Sequence, residues 1–123
     1  MTPESDVPQW ERSVNPRLHE ADAIVDFIST QHESFDAVLI VGDMGDDHTA
    51  TQWFSTAGYS DPYTLLDLSP QATFPSNSHE HKSPIVRDWM FSNTRLRPAM
   101  VHTIPTKSSF HTPLFVLYEI LPP

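Results

Sequence analysis

Phe35-Asp36-Ala37-Val38-Leu39-Ile40-Val41-Gly42-Asp43-Met44-Gly45-Asp46-Asp47-His48 is the stretch on which the fold turns. From Phe35 to Val41 it is a near-continuous, β-branched apolar run ending at Gly42. That pattern predicts a strand buried on both faces, as in a parallel sheet covered by helices. Past its carboxyl end come Asp43, Asp46 and Asp47, then His48. Asp46 or Asp47 can cap a following helix, because a carboxylate there accepts from the first-turn amides and meets the positive end of the helix dipole. Ala50, Trp53, Phe54 and Ala57 form that helix's expected inner face, and Gly58 suits a left-handed stop.

Upstream, Leu18, Ala21, Ile24, Val25, Phe27 and Ile28 recur at three- and four-residue spacing and predict an amphipathic helix over 18–31. Residues 1–17 hold three prolines and no sustained period, so they read as a lead-in in which Trp10 anchors onto the domain. Downstream, Tyr63 to Leu68 reads as a second strand entered from the turn-like Ser60-Asp61-Pro62. Residues 69–83 form a long polar loop rich in Ser, Pro and His, and Pro84 opens a short predicted helix over 85–92. Pro98 to Ile104 and Leu114 to Leu121 read as closing strands whose short connection predicts an antiparallel pair. The expected architecture is a lead-in, 1–17, followed by one α/β domain, 18–123. Three layers are expected, around a mixed sheet with a parallel centre and an antiparallel C-terminal edge pair.

A chain of 123 residues can bury roughly 60–70% of its unfolded surface, enough for a core without staples. Sixteen acidic residues against seven basic ones give a net charge of −9. This sign opposes the phosphate neutralisation that nucleic-acid binding needs and disfavours an anionic membrane surface. With no cysteine, disulfides, thiolate zinc sites and cysteine nucleophiles are excluded. The longest apolar run, Ala37 to Val41, is far short of the ~20 residues of a membrane span, and Met1 to Glu11 lacks a signal-peptide build. A soluble, cytoplasmic protein is the expectation.

Packing carboxylates together at a strand tip raises their repulsion, which a hard divalent cation relieves, so Asp43 and Asp47 are candidate metal ligands. Asp46 and His48 are supporting candidates, and magnesium is the candidate ion. Gly42-Asp43, three residues and Asp47 resemble the Gly-Asp-x-x-x-Asp element that closes the metal site in the haloacid dehalogenase (HAD) superfamily. With Val14-Asn15-Pro16, Glu20 to Ala23 and Phe35-Asp36-Ala37, residues 12–58 resemble its trehalose-6-phosphate phosphatase branch. The resemblance implies an α/β fold and magnesium-dependent hydrolysis of a phosphorylated sugar. The family's Asp-x-Asp nucleophile element has no counterpart upstream of Leu18, and Glu20 stands near the place of its phosphate-holding lysine. Aspartyl-phosphate chemistry needs that nucleophile and that positive charge together.

Other constellations fall short. His79 and His81 alternate in the polar loop and could share a zinc ion, yet no third ligand follows from sequence. His102 and His111 are each followed by threonine at a spacing of one, where a His-x-Thr phosphoesterase pair needs two. No Gly-x-Ser-x-Gly elbow and no phosphate-cradling glycine loop occurs. Trp89, Met90 and Phe91 cannot all face inward on a helix, which makes Trp89 or Phe91 a candidate interface residue.

The leading expectation is a non-catalytic, acidic protein-binding module without catalytic residues, either a degenerate HAD-like regulatory piece or an unrelated small inhibitor or adaptor. Its partner would be a protein with a basic surface. The alternative is the magnesium-dependent phosphoryl hydrolase, and the third reading is an acidic nucleic-acid mimic. The non-catalytic reading rests on the premise that no basic or nucleophilic side chain joins the strand-tip carboxylates.

Overall fold

The computed structural model describes residues 16–31, 33, 36–45, 48–75, 85–107 and 109–122. Helix α1 (Pro16–Gln31) leads to strand β1 (Leu39–Asp43), then to α2 (Thr49–Thr56) and the short α3 (Pro62–Leu66). Strands β2 (Asp88–Ser92), β3 (Leu96–Thr103) and β4 (Leu114–Ile120) complete the described elements. Trp10, Asp46, Asp47, His79 and His81 lie outside the described residues.

The chain is mixed α/β, as expected, but its strands pair differently. β1 and β2 form one antiparallel pair, with Ile40 opposite Phe91, Gly42 opposite Trp89 and Asp43 opposite Asp88. β3 and β4 form a second antiparallel pair, with Val101 opposite Val116, and this is the predicted closing hairpin. No parallel pair occurs among the described residues.

Two local readings account for the difference. The segment expected as a parallel strand, 63–68, is helical from Pro62. Asp61 caps it, its carboxylate accepting from the Thr64 amide at 3.0 Å and the Thr64 hydroxyl at 2.7 Å. Pro62 occupies the first helical turn, where its missing N–H costs nothing, and Asp67 ends the helix in the left-handed region at φ 56°. The Asp-Pro pair is therefore a helix start, and no strand follows it. Conversely, the segment expected as a helix, 85–92, carries β2. Extended backbone sends Trp89 and Phe91 to one face and Met90 to the other, so the crowding that a helix would suffer disappears.

The core gathers Ala21 of α1, Ile40 and Met44, Ala50 and Phe54 of α2, Tyr63 of α3, Trp89 and Phe91 of β2, and Val101 of β3. The Phe54 and Phe91 rings meet at 5.3 Å, and Tyr63 meets Trp89 edge-on at 5.8 Å. Trp89 and Phe91, expected as exposed contacts, are thus buried core residues. Of the predicted inner face of α2, Ala50 and Phe54 are buried, Trp53 is partly so and Ala57 is exposed. β1 departs from the two-faced burial expected of it. Ile40 points into the core, whereas Leu39 and Val41 are exposed on the opposite face.

Burial raises the hydroxyl pKa of all three tyrosines, Tyr59, Tyr63 and Tyr118, above the ordinary 10.0, and the negative charge of Asp61 adds to the effect at Tyr63 and Tyr118. The folded state thus keeps protons that the unfolded chain gives up near pH 10. This contribution is fully present below pH 10 and is lost as pH rises through the folded values, so stability falls with increasing alkalinity. The expected result is a denaturation midpoint that drops above pH 10, with tyrosinate absorbance appearing together with unfolding. Tyrosinate absorbance that develops fully in the folded protein would contradict it.

Candidate functional site

The register of β1 with β2 sets two carboxylates face to face. Asp43 ends β1, Asp88 begins β2, and the two are direct cross-strand partners. Like charges in that position repel and destabilise a sheet unless something positive intervenes. Two side chains do. The Arg87 Nε donates to Asp43 Oδ1 at 3.2 Å. The His111 imidazole, from the loop before β4, reaches Asp88 Oδ2 with Nδ1 at 2.5 Å and turns Nε2 towards Asp43 Oδ2 at 3.9 Å. A carboxylate only accepts, so the first of these contacts places a proton on Nδ1.

The supports for these groups are themselves well fixed. Thr73 is fully buried, and its Oγ1 accepts from the backbone amides of Arg87 at 3.0 Å and Asp88 at 2.9 Å. The Thr112 amide donates to the Thr73 carbonyl at 2.7 Å, which ties the loop carrying His111 to the same residue. Next along the chain, the Phe74 ring packs against His111 at 4.9 Å, and the Arg87 guanidinium lies 4.7 Å over it. Asp43 is fixed through the Gly45 amide, which donates to its Oδ1 at 2.8 Å. Gly45 has φ 80°, in the left-handed region, and a Cβ there would overlap the Arg17 guanidinium.

Asp43, Asp88 and His111 can each bring one ligand atom within 4.8 Å of the other two. Asp88 and His111 line an open groove of about 300 Å³ whose wall includes Ser109, Thr112 and Trp89. The three side chains are partly exposed, so their mutual attraction adds little to stability; the arrangement matters for what it can bind.

Asp43 was foreseeable from the strand tip. Its expected co-ligand, Asp47, lies outside the described residues. His48 is exposed and stands at the start of α2, where its carbonyl accepts from the Gln52 amide at 2.9 Å. The premise that no basic group joins the carboxylates is overturned by Arg87. Asp88 and His111 escaped sequence reasoning because only strand register and loop packing bring them to Asp43, and neither leaves a local motif. Comparison with protein-family models, curated proteins and solved structures finds no match to this chain. No helix among the described residues is long and apolar enough to cross a membrane.

Proposed function

We propose that the chain is an acidic protein-binding module that acts in the cytoplasm on a partner with a basic surface. One observation carries this reading: the outer face of the β3–β4 hairpin. Side chains alternate along both strands, and while Val101 and Val116 pack inward, Met100, Phe115 and Leu117 stand exposed on the other side. Met100 is paired with Leu117, and Phe115 lies diagonally beside them opposite His102. The Arg97–Glu119 ion pair borders this centre. An apolar middle within a polar border is the anatomy of a protein interface. The net charge of −9 favours encounter with a basic surface. The HAD-like resemblance enters as the origin of a regulatory remnant, on the Gly42-Asp43 end of β1 followed by α2.

The test compares wild-type and Phe115→Ser/Leu117→Ser chains as affinity baits, at low and high salt, with quantitative mass spectrometry. The expected result is a protein held by wild type, reduced at least ~10-fold by the double variant and weakened by salt. Identical retention by both baits at low salt overturns the reading.

The magnesium-dependent phosphoryl hydrolase keeps second place on a specific observation. Arg87 beside Asp43 supplies the positive charge for which the sequence offered no residue. Wild-type protein that leaves p-nitrophenyl phosphate and sugar phosphates untouched in magnesium ends that alternative.

A further inference from the structure

We infer that Asp43, Asp88 and His111 form a binding site for a divalent transition-metal ion of the zinc class, independently of the module proposed above. The geometry supplies what such a site needs. His111 donates its Nδ1 proton to Asp88 at 2.5 Å, the carboxylate–histidine contact that fixes the tautomer and aims the opposite nitrogen at an ion. That nitrogen, Nε2, faces Asp43 Oδ2 across 3.9 Å, too far for a hydrogen bond. Two ligand atoms bound tetrahedrally to one zinc ion lie roughly 3.3 Å apart, so a closure of about half an ångström brings the pair to ligand spacing. Asp88, held on Nδ1, acts from the outer shell, orienting the imidazole and adding its negative charge, and one atom of each of the three side chains already lies within 4.8 Å of the other two.

The other oxygen of Asp43 is engaged by the Gly45 amide and Arg87, which orients Oδ2 for one-point ligation. With Asp43 and His111 as the direct ligands, the remaining positions fall to water or a small anion, and the groove that His111 and Asp88 line with Ser109 and Thr112 lies beside them. The donor set selects the metal class. An imidazole with carboxylates suits zinc and its neighbours, whereas magnesium prefers oxygen ligands and keeps its water. A cation there also relieves the cross-strand repulsion between Asp43 and Asp88, adding to the partial neutralisation by Arg87.

The experiment uses the full chain stripped with a chelator, then titrated with zinc, cobalt or magnesium. Tm is followed throughout, and cobalt is also read by its visible d–d absorption. Zinc and cobalt are expected to raise Tm, cobalt to give the spectrum of a low-coordinate site, and magnesium to do neither at equal concentration. His111→Gln, Asp43→Asn and Asp88→Asn are each expected to weaken zinc binding at least ~10-fold while retaining the metal-free circular dichroism of wild type. The His79→Gln/His81→Gln variant is expected to bind as wild type does, which separates this site from the alternate histidines of the polar loop. On unmutated protein, zinc should protect His111 from diethyl pyrocarbonate, a readout that does not depend on any variant folding. A Tm and cobalt spectrum indifferent to the ions overturns the site. So does binding that survives His111→Gln and Asp43→Asn, or a His111 modified equally fast with and without zinc.

Discussion

Alanine in place of Phe91 is expected to remove about 3–5 kcal/mol of folding stability, the loss that follows when a large aromatic ring leaves a well-packed interior. The side chain is 1% exposed, lies opposite Ile40 across the β1–β2 pair, and packs against the rings of Phe54 at 5.3 Å and Trp89 at 6.0 Å. It therefore joins α2 to both strands, and no single neighbour can fill the space it would vacate. Phe115→Ala provides the contrast within one protein, because that ring is 44% exposed and should cost about 1 kcal/mol or less. Urea unfolding of the two variants measures the difference through the midpoint at constant slope. Equal, small losses in both would show that β2 does not carry the core.

The same residue shows why part of this fold escapes a reading by pattern. Trp89-Met90-Phe91 is an apolar run too short to establish its own period, and length alone does not separate a buried strand from a buried helical turn. Its partner decides: β1 offers an edge of backbone groups, and antiparallel pairing places Trp89 and Phe91 on the inner face together. At Tyr63 to Leu66 the opposite happens. The segment has strand-like residues, yet the Asp61 carboxylate on the Thr64 amide and the fixed φ of Pro62 start a helix before any strand partner is reached. Where apolar residues recur over two helical turns, as at Ala21, Val25 and Ile28, the local signal suffices to place α1, although Ile24 and Phe27 of the expected stripe are exposed. The closing hairpin is likewise legible from its two apolar runs and their connection, although β3 begins at Leu96 and takes Pro98 inside it.

The candidate site divides along the same line. An apolar run that stops at Gly42-Asp43 announces a carboxylate at its tip. What that carboxylate can do depends on residues whose positions are properties of register: Asp88 because it pairs with Asp43, Arg87 because it precedes Asp88, and His111 because the loop before β4 is held to Thr73. A one-residue slip of β2 against β1 would turn Arg87 and Asp88 to opposite faces from those they now occupy and dissolve the cluster. Site and core are therefore coupled, since the register that buries Trp89 and Phe91 also assembles the charges at the end of the sheet.

Thr73 is where that coupling should be most visible. Valine has nearly the shape of threonine but no hydroxyl, so Thr73→Val leaves the Arg87 and Asp88 amides without the acceptor they now share at 3.0 and 2.9 Å. Each unsatisfied, partly buried amide costs about 1–3 kcal/mol, and the pair together is expected to lower stability by roughly 2–4 kcal/mol. Thr73→Ser keeps the oxygen and loses one methyl, for about 1 kcal/mol. If the hydroxyl acts by positioning the start of β2, Thr73→Val should also weaken zinc binding by Asp43, Asp88 and His111, and Thr73→Ser should restore most of it. Thermal unfolding with and without zinc reads both quantities in one series. A valine variant as stable as wild type would mean that water replaces the lost acceptor without cost. One that is destabilised yet binds zinc unchanged would confine the role of Thr73 to the fold and break the link from this buried hydroxyl to the carboxylates at the sheet's end.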